Sequence, residues 1–147
     1  MTLNQLYRMT VERMDGRRSG YILRALCEGT DIRTLVCADE DEREFAVDTD
    51  KIISSDGRIV YERECPKPSR RNALRAGTAC FDERGKFLGM INDYNLNNFR
   101  VTSAVVSGRK LPFDRLRVKD VAVFNDKTGA PAALAAKDMF LSAIVQG

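Results

Sequence analysis

The chain has 147 residues, with 24 Lys and Arg against 21 Asp and Glu, and its net charge of +3 is too small to make polyanion binding the default. It contains no histidine and four cysteines without a C-x-x-C pair, which excludes mixed Cys–His zinc sites and histidine-based acid–base catalysis. Hydrophobic residues make up 44%, ordinary for a globular chain, and no apolar run approaches the ~20 residues of a membrane-spanning helix.

The opening Met1-Thr2-Leu3-Asn4-Gln5-Leu6 lacks a basic region followed by an apolar stretch, so it does not read as a secretory signal and the expected compartment is the cytoplasm. Tyr7, Met9 and Val11 then alternate with Arg8, Thr10 and Glu12, the period of a strand with one buried face. Asp15-Gly16 reads as a turn, because glycine supplies the positive φ a tight reversal needs. Residues 21–27 form a β-rich run, Glu28-Gly29-Thr30-Asp31 breaks it, and residues 32–38 resume it. The acidic Asp39-Glu40-Asp41-Glu42 falls at a hairpin tip, Phe45, Val47, Ile52 and Ile53 continue the apolar pattern, and Ser54-Ser55-Asp56-Gly57 turns into Arg58-Ile59-Val60-Tyr61. Short strands at this spacing predict a small closed or partly closed barrel.

Residues 63–75 lose the alternation and carry Pro66, Pro68, Lys67, Arg70, Arg71 and Arg75, the composition of a basic linker. Further apolar runs follow at 78–81, 90–96, 101–106, 111–113 and 118–124. At the end, Pro131 precedes Ala132-Ala133-Leu134-Ala135-Ala136, a helix-favouring stretch, and Leu134, Phe140, Leu141, Ile144 and Val145 give it an apolar face. This predicts a C-terminal helix and, since such a face needs cover, a homodimer through it.

The two halves repeat one pattern. Asp15-Gly16-Arg17-Arg18-Ser19-Gly20, followed by Tyr21-Ile22-Leu23, recurs 69 positions later as Arg84-Gly85-Lys86-Phe87-Leu88-Gly89, followed by Met90-Ile91-Asn92. Apolar runs at 32–37 and 101–106 follow, then Phe45-Ala46-Val47-Asp48 and Leu111-Pro112-Phe113-Asp114. A half alone would bury only ~60% of its extended surface, so the halves are expected to pack together. The organisation read from this is repeat 1 at 1–62, linker at 63–75, repeat 2 at 76–126 and a helical tail at 127–147.

Carried by Gly16, Gly20, Ile22, Val47 and Asp48 in one copy and Gly85, Gly89, Ile91, Phe113 and Asp114 in the other, the pattern resembles the PRC-barrel superfamily, which includes the photosynthetic reaction centre H subunit and the RimM-type ribosome maturation factor. The resemblance covers about residues 5–62 and 76–125. It implies a mainly β fold of two PRC-barrel-like small barrels acting as a non-enzymatic scaffold or adaptor with a protein partner, and it implies no catalytic constellation. Copy one departs from copy two in its longer hairpin at 38–44.

The remaining chemistry points the same way. The acidic run lacks the spaced ligands and internal glycine of a calcium loop, so no metal is assigned. Ser54, Ser55 and the cysteines have no base to activate them, so no catalytic residue and no cofactor is assigned, and the cysteines are expected as reduced, packed thiols. Arg70, Arg71 and Arg75 are the one candidate polyanion contact, and with them goes the alternative of an RNA- or ribosome-associated factor.

Overall fold

The computed structural model describes residues 1–66 and 72–125, which are mainly β. Two compact units divide the chain, Met1–Arg75 with Leu96–Val101, and Ala76–Asn95 with the chain from Thr102 onward. The predicted C-terminal helix falls outside the described residues.

The first unit begins with a short helix that ends at Tyr7, where the predicted strand begins, and the strand itself starts at Thr10. α1 (Leu3–Tyr7) is closed by a capping box: Thr2 Oγ1 accepts from the Gln5 N–H at 3.2 Å, and the Thr2 N–H donates to Gln5 Oε1 at 2.8 Å. Leu3 and Leu6 are fully buried, and burial of that order stabilises by about 1.5–3 kcal/mol per side chain. The helix takes Tyr7 from the alternating run, and Thr10 to Glu12 of that run enter β1 with Val11 as its core residue.

Then follow β1 (Thr10–Arg13), β2 (Ser19–Glu28), β3 (Asp31–Asp39), β4 (Glu44–Asp48), a 3-10 turn (Thr49–Lys51), β5 (Ile52–Ser54), β6 (Ile59–Tyr61) and β7 (Asn72–Ala73). The hairpin tip between β3 and β4 is where the acidic run predicts it, because Asp39 Oδ1 accepts from the Asp41 and Arg43 N–H groups at 2.9 and 3.0 Å. β4 pairs with β3, β3 with β2 and β2 with β1, all antiparallel; β1 pairs in parallel with β6, which pairs antiparallel with β5. Val11, Leu35, Val47, Ile59 and Tyr61 fill the core.

In the second unit, β8 (Thr78–Asp82), β9 (Phe87–Asn97), β10 (Arg100–Val106), β11 (Arg109–Pro112), a 3-10 turn (Phe113–Arg115), β12 (Leu116–Val118) and β13 (Ala122–Phe124) follow the same succession. The path β11-β10-β9-β8-β13-β12 corresponds strand for strand to β4-β3-β2-β1-β6-β5, down to one parallel contact in each, Val11 with Ile59 and Cys80 with Ala122. Its core holds Cys80, Ile91, Tyr94, Ala104 and Phe113, with Tyr94 edge-on to Phe113 at 5.8 Å.

One expectation needs correction. Neither path closes: β4 and β5 are the ends of one, β11 and β12 of the other, and the 3-10 turns carry the chain between them without a ladder. The sequence predicts strands and turns but has no term for whether the end strands meet. Cys65 and residues 72–74 are hydrogen-bonded within the first unit. The Cys65 N–H donates to the Ala46 carbonyl at 2.7 Å, β7 pairs with β2, and the Leu74 N–H donates to the Ala25 carbonyl at 3.0 Å.

Residues 96–101, the tip of the β9–β10 hairpin, belong to the first unit. There the Ile32 N–H donates to the Phe99 carbonyl and the Val101 N–H to the Thr30 carbonyl, both at 2.7 Å. Thr30 and Ile32 lie 69 positions before Phe99 and Val101, so the two bonds are reciprocal under the sequence repeat.

Candidate functional site

The turn joining β1 and β2 carries a charged cluster. Gly16 adopts φ +73, closing the turn with its N–H on the Arg13 carbonyl at 2.8 Å. This places Arg13 and Arg18 side by side. Arg13 forks onto both oxygens of Glu64 at 3.0 and 3.1 Å and donates from Nε to Asp15 at 2.9 Å. Arg18 donates to the same Glu64 oxygen at 2.9 Å, pairs with Asp39 at 3.4 Å, and lies 4.8 Å over the Phe45 ring. Arg13 holds the Asp15 carboxyl below its ordinary range, first through their hydrogen bond, with the Arg17 N–H adding to it.

Beneath this cluster Phe45 stacks on Tyr61 at 5.9 Å. The Tyr61 hydroxyl is buried without a hydrogen-bond partner, and burial pushes its pKa up, so it stays protonated. With both arginines committed to carboxylates, the cluster is a clasp between the turn and the segment after β6. It has no free base or nucleophile arrangement.

The outer face of β2 is different. The ladder to β3 slips between Ile22 and Arg24, leaving Leu23 as the extra residue of a bulge. Tyr21 and Leu23 are 47% and 40% exposed on either side of buried Ile22. Arg24 reaches Glu44 at 3.0 Å beside them.

In the second unit the corresponding turn is flanked by aromatic side chains. Phe81 meets Phe87 edge-on at 5.5 Å, and Phe87 and Met90 are 53% and 42% exposed. The ladder pairs Phe81 with Phe87 and Ala79 with Met90, so the four share one face.

Of the predicted polyanion contacts, Arg75 is exposed, while Arg70 and Arg71 lie outside the described residues. The homodimer expected through the tail also falls outside them. The cysteines are free, as expected; burial pushes Cys27 and Cys37 up to about 12 and Cys80 to about 11, values at which they are poor nucleophiles at neutral pH. Among the described residues, no group of His, Cys, Asp and Glu is placed to hold a metal ion, and no helix is long and apolar enough to cross a membrane. An open cleft of about 220 Å³ is lined by Glu28, Arg33, Asp48, Thr49 and Asp50, with Arg33 3.5 Å from Asp31 and 3.9 Å from Glu28.

Sequence reasoning missed the clasp and the bulge. Glu64 lies 51 and 46 positions from Arg13 and Arg18, beyond any local spacing rule. The run Tyr21-Ile22-Leu23 reads as apolar throughout; strand alternation turns Tyr21 and Leu23 outward around Ile22, and the slipped ladder exposes Arg24 next to Leu23. No protein-family model and no curated protein matches the chain.

Proposed function

We propose that this chain is a tandem pair of PRC-barrel-like modules acting as a non-enzymatic scaffold, which holds a protein partner on the outer face of β2 through Tyr21 and Leu23. The observation that carries the reading is that pair of exposed side chains on a strand fixed by ladders on both sides. A tyrosine and a leucine presented on a rigid strand beside an arginine–glutamate pair form the kind of anchor patch that protein interfaces use, at little entropic cost.

The modular part of the reading is supported by the matching strand succession and by where the resemblance residues fall. Gly16 and Gly85 close the two turns with positive φ, Ile22 and Ile91 are buried on the second strands, and Val47 and Phe113 are buried before or at the 3-10 turns. Asp48 precedes its turn and accepts from the Thr34 hydroxyl at 2.8 Å, whereas Asp114 lies within its own.

The test is affinity capture with the full chain, its Tyr21→Ala/Leu23→Asp variant, and each with nuclease added. The reading predicts a partner set that survives nuclease and is lost with the variant. A set that vanishes with nuclease and ignores the variant would replace it with the RNA-associated reading and its Arg70, Arg71 and Arg75 contact.

A further inference from the structure

We propose that the C-terminal segment of this chain, residues 131–145, covers the apolar face that Ala79, Phe81, Phe87 and Met90 form on the β8–β9 hairpin. Phe87 and Met90 stand 53% and 42% exposed on paired strands, and the ladder slips between Cys80 and Phe81 so that both side chains fall on one face. Two exposed side chains of that size next to Phe81 make a contiguous patch rather than scattered exposure.

The chain itself supplies the occupant. Its described part ends at Asn125, directly after β13, and β13 runs parallel to β8 with Phe124 opposite Asp82, one residue past Phe81. The patch thus begins one strand away from the point where the chain leaves. Two strand spacings amount to ~10 Å. The five residues 126–130 can span up to ~17 Å before Pro131. Beyond that point Leu134, Phe140, Leu141, Ile144 and Val145 offer an apolar face in a segment whose alanines favour a helix. Such a helix is marginal in water, and an aromatic surface is what would stabilise it.

A second copy could offer the same segment, but the tether decides between them. A short flexible link gives a local concentration on the order of millimolar, far above the protein concentration of a dilute solution. In-chain docking is favoured by that ratio.

The full-length protein tests this by methionine oxidation with dilute peroxide, read by peptide mass spectrometry. Exposure alone, 42% for Met90 and 61% for Met14, places the two rates within about twofold of each other. Covered by the tail, Met90 oxidises at least ~5-fold more slowly than Met14, and Phe140→Asp/Leu141→Asp brings the rates back together. Equal rates in the unsubstituted protein overturn the proposal. Protection that is lost on dilution, together with a dimer mass by light scattering, also overturns it and assigns the face to a second copy.

Discussion

Arg18 and Phe87 lie 69 positions apart, the offset that relates Gly16 to Gly85 and Gly20 to Gly89, and there the two hairpins part company. Both turns have the same backbone closure, Gly16 N–H to the Arg13 carbonyl at 2.8 Å and Gly85 N–H to the Asp82 carbonyl at 3.1 Å. In the first, Arg18 joins Arg13 on Glu64 and seals the turn with charge; in the second, Phe87 packs on Phe81 and leaves an apolar face. What the two hairpins share is therefore the part set by backbone geometry, a positive-φ glycine and a glycine on the second strand. Side chains pointing away from the core are under no such constraint, and there the units take different chemistry.

The largest expected effects come from the shared glycines. A Cβ at Gly20 would fall on the Ala38 carbonyl oxygen and lie 2.9 Å from its carbon, and backbone cannot yield as a side chain does. At Gly89, φ is +137, and a Cβ would meet the Ser107 hydroxyl. Gly20→Val and Gly89→Val should each cost on the order of 2–4 kcal/mol in urea unfolding. Ser107→Gly should recover part of the loss for Gly89→Ala, where a side chain is the obstacle, and no partner truncation should do so for Gly20→Ala. Equal, small losses below ~0.5 kcal/mol at both would break the correspondence.

Removing the clasp should come next. Glu64→Ala leaves Arg13 to Asp15 and Arg18 to Asp39, and a loss of stability smaller than that at the glycines is expected in urea unfolding. Phe87→Arg, which gives the second hairpin the first one's residue at an exposed position, should stay within ~0.5 kcal/mol.

The thiols sharpen the contrast through pH. Burial raises Cys27 and Cys37 in the first unit to about 12 and Cys80 in the second to about 11, from an ordinary 9.0. The folded chain keeps protons that the unfolded chain releases, so this contribution is fully present below pH 9 and falls as pH rises towards 11 and 12. Burial raises Tyr7 and Tyr61 in the same direction, and both lie in the first unit. The melting temperature should accordingly fall above pH 9, the ordinary thiol value, and Cys37→Ala should flatten that slope. A melting temperature unchanged up to pH 10.5 would show that the thiols are not buried as described.

A small effect, with the opposite sign allowed, is expected at Tyr61. Its hydroxyl is buried without a partner, so Tyr61→Phe removes a desolvated polar group and loses no bond. Stability should rise or hold within ~1 kcal/mol; a loss above ~2 kcal/mol would reveal a bonded group beneath the clasp.

Strands and turns were legible because alternation and glycine act locally, and the acidic tip at Asp39 was legible because its carboxylate caps its own turn. The Thr2-x-x-Gln5 capping box was also in plain view, but the alternation from Tyr7 to Val11 concealed it. Closure of the sheet, the fastening of residues 65 and 72–74, the Glu64 clasp and the Leu23 bulge all depend on partners far along the chain. Periodicity carries no information about those, and they make up most of the candidate site.

The central claim, one strand plan used twice, is tested most directly by cross-strand nuclear Overhauser contacts in the full chain. The account predicts antiparallel contacts for Val11 with Gly20 and Cys80 with Gly89, and parallel contacts for Val11 with Ile59 and Cys80 with Ala122. Contacts of both kinds in one unit, with either kind missing from the other, would contradict it.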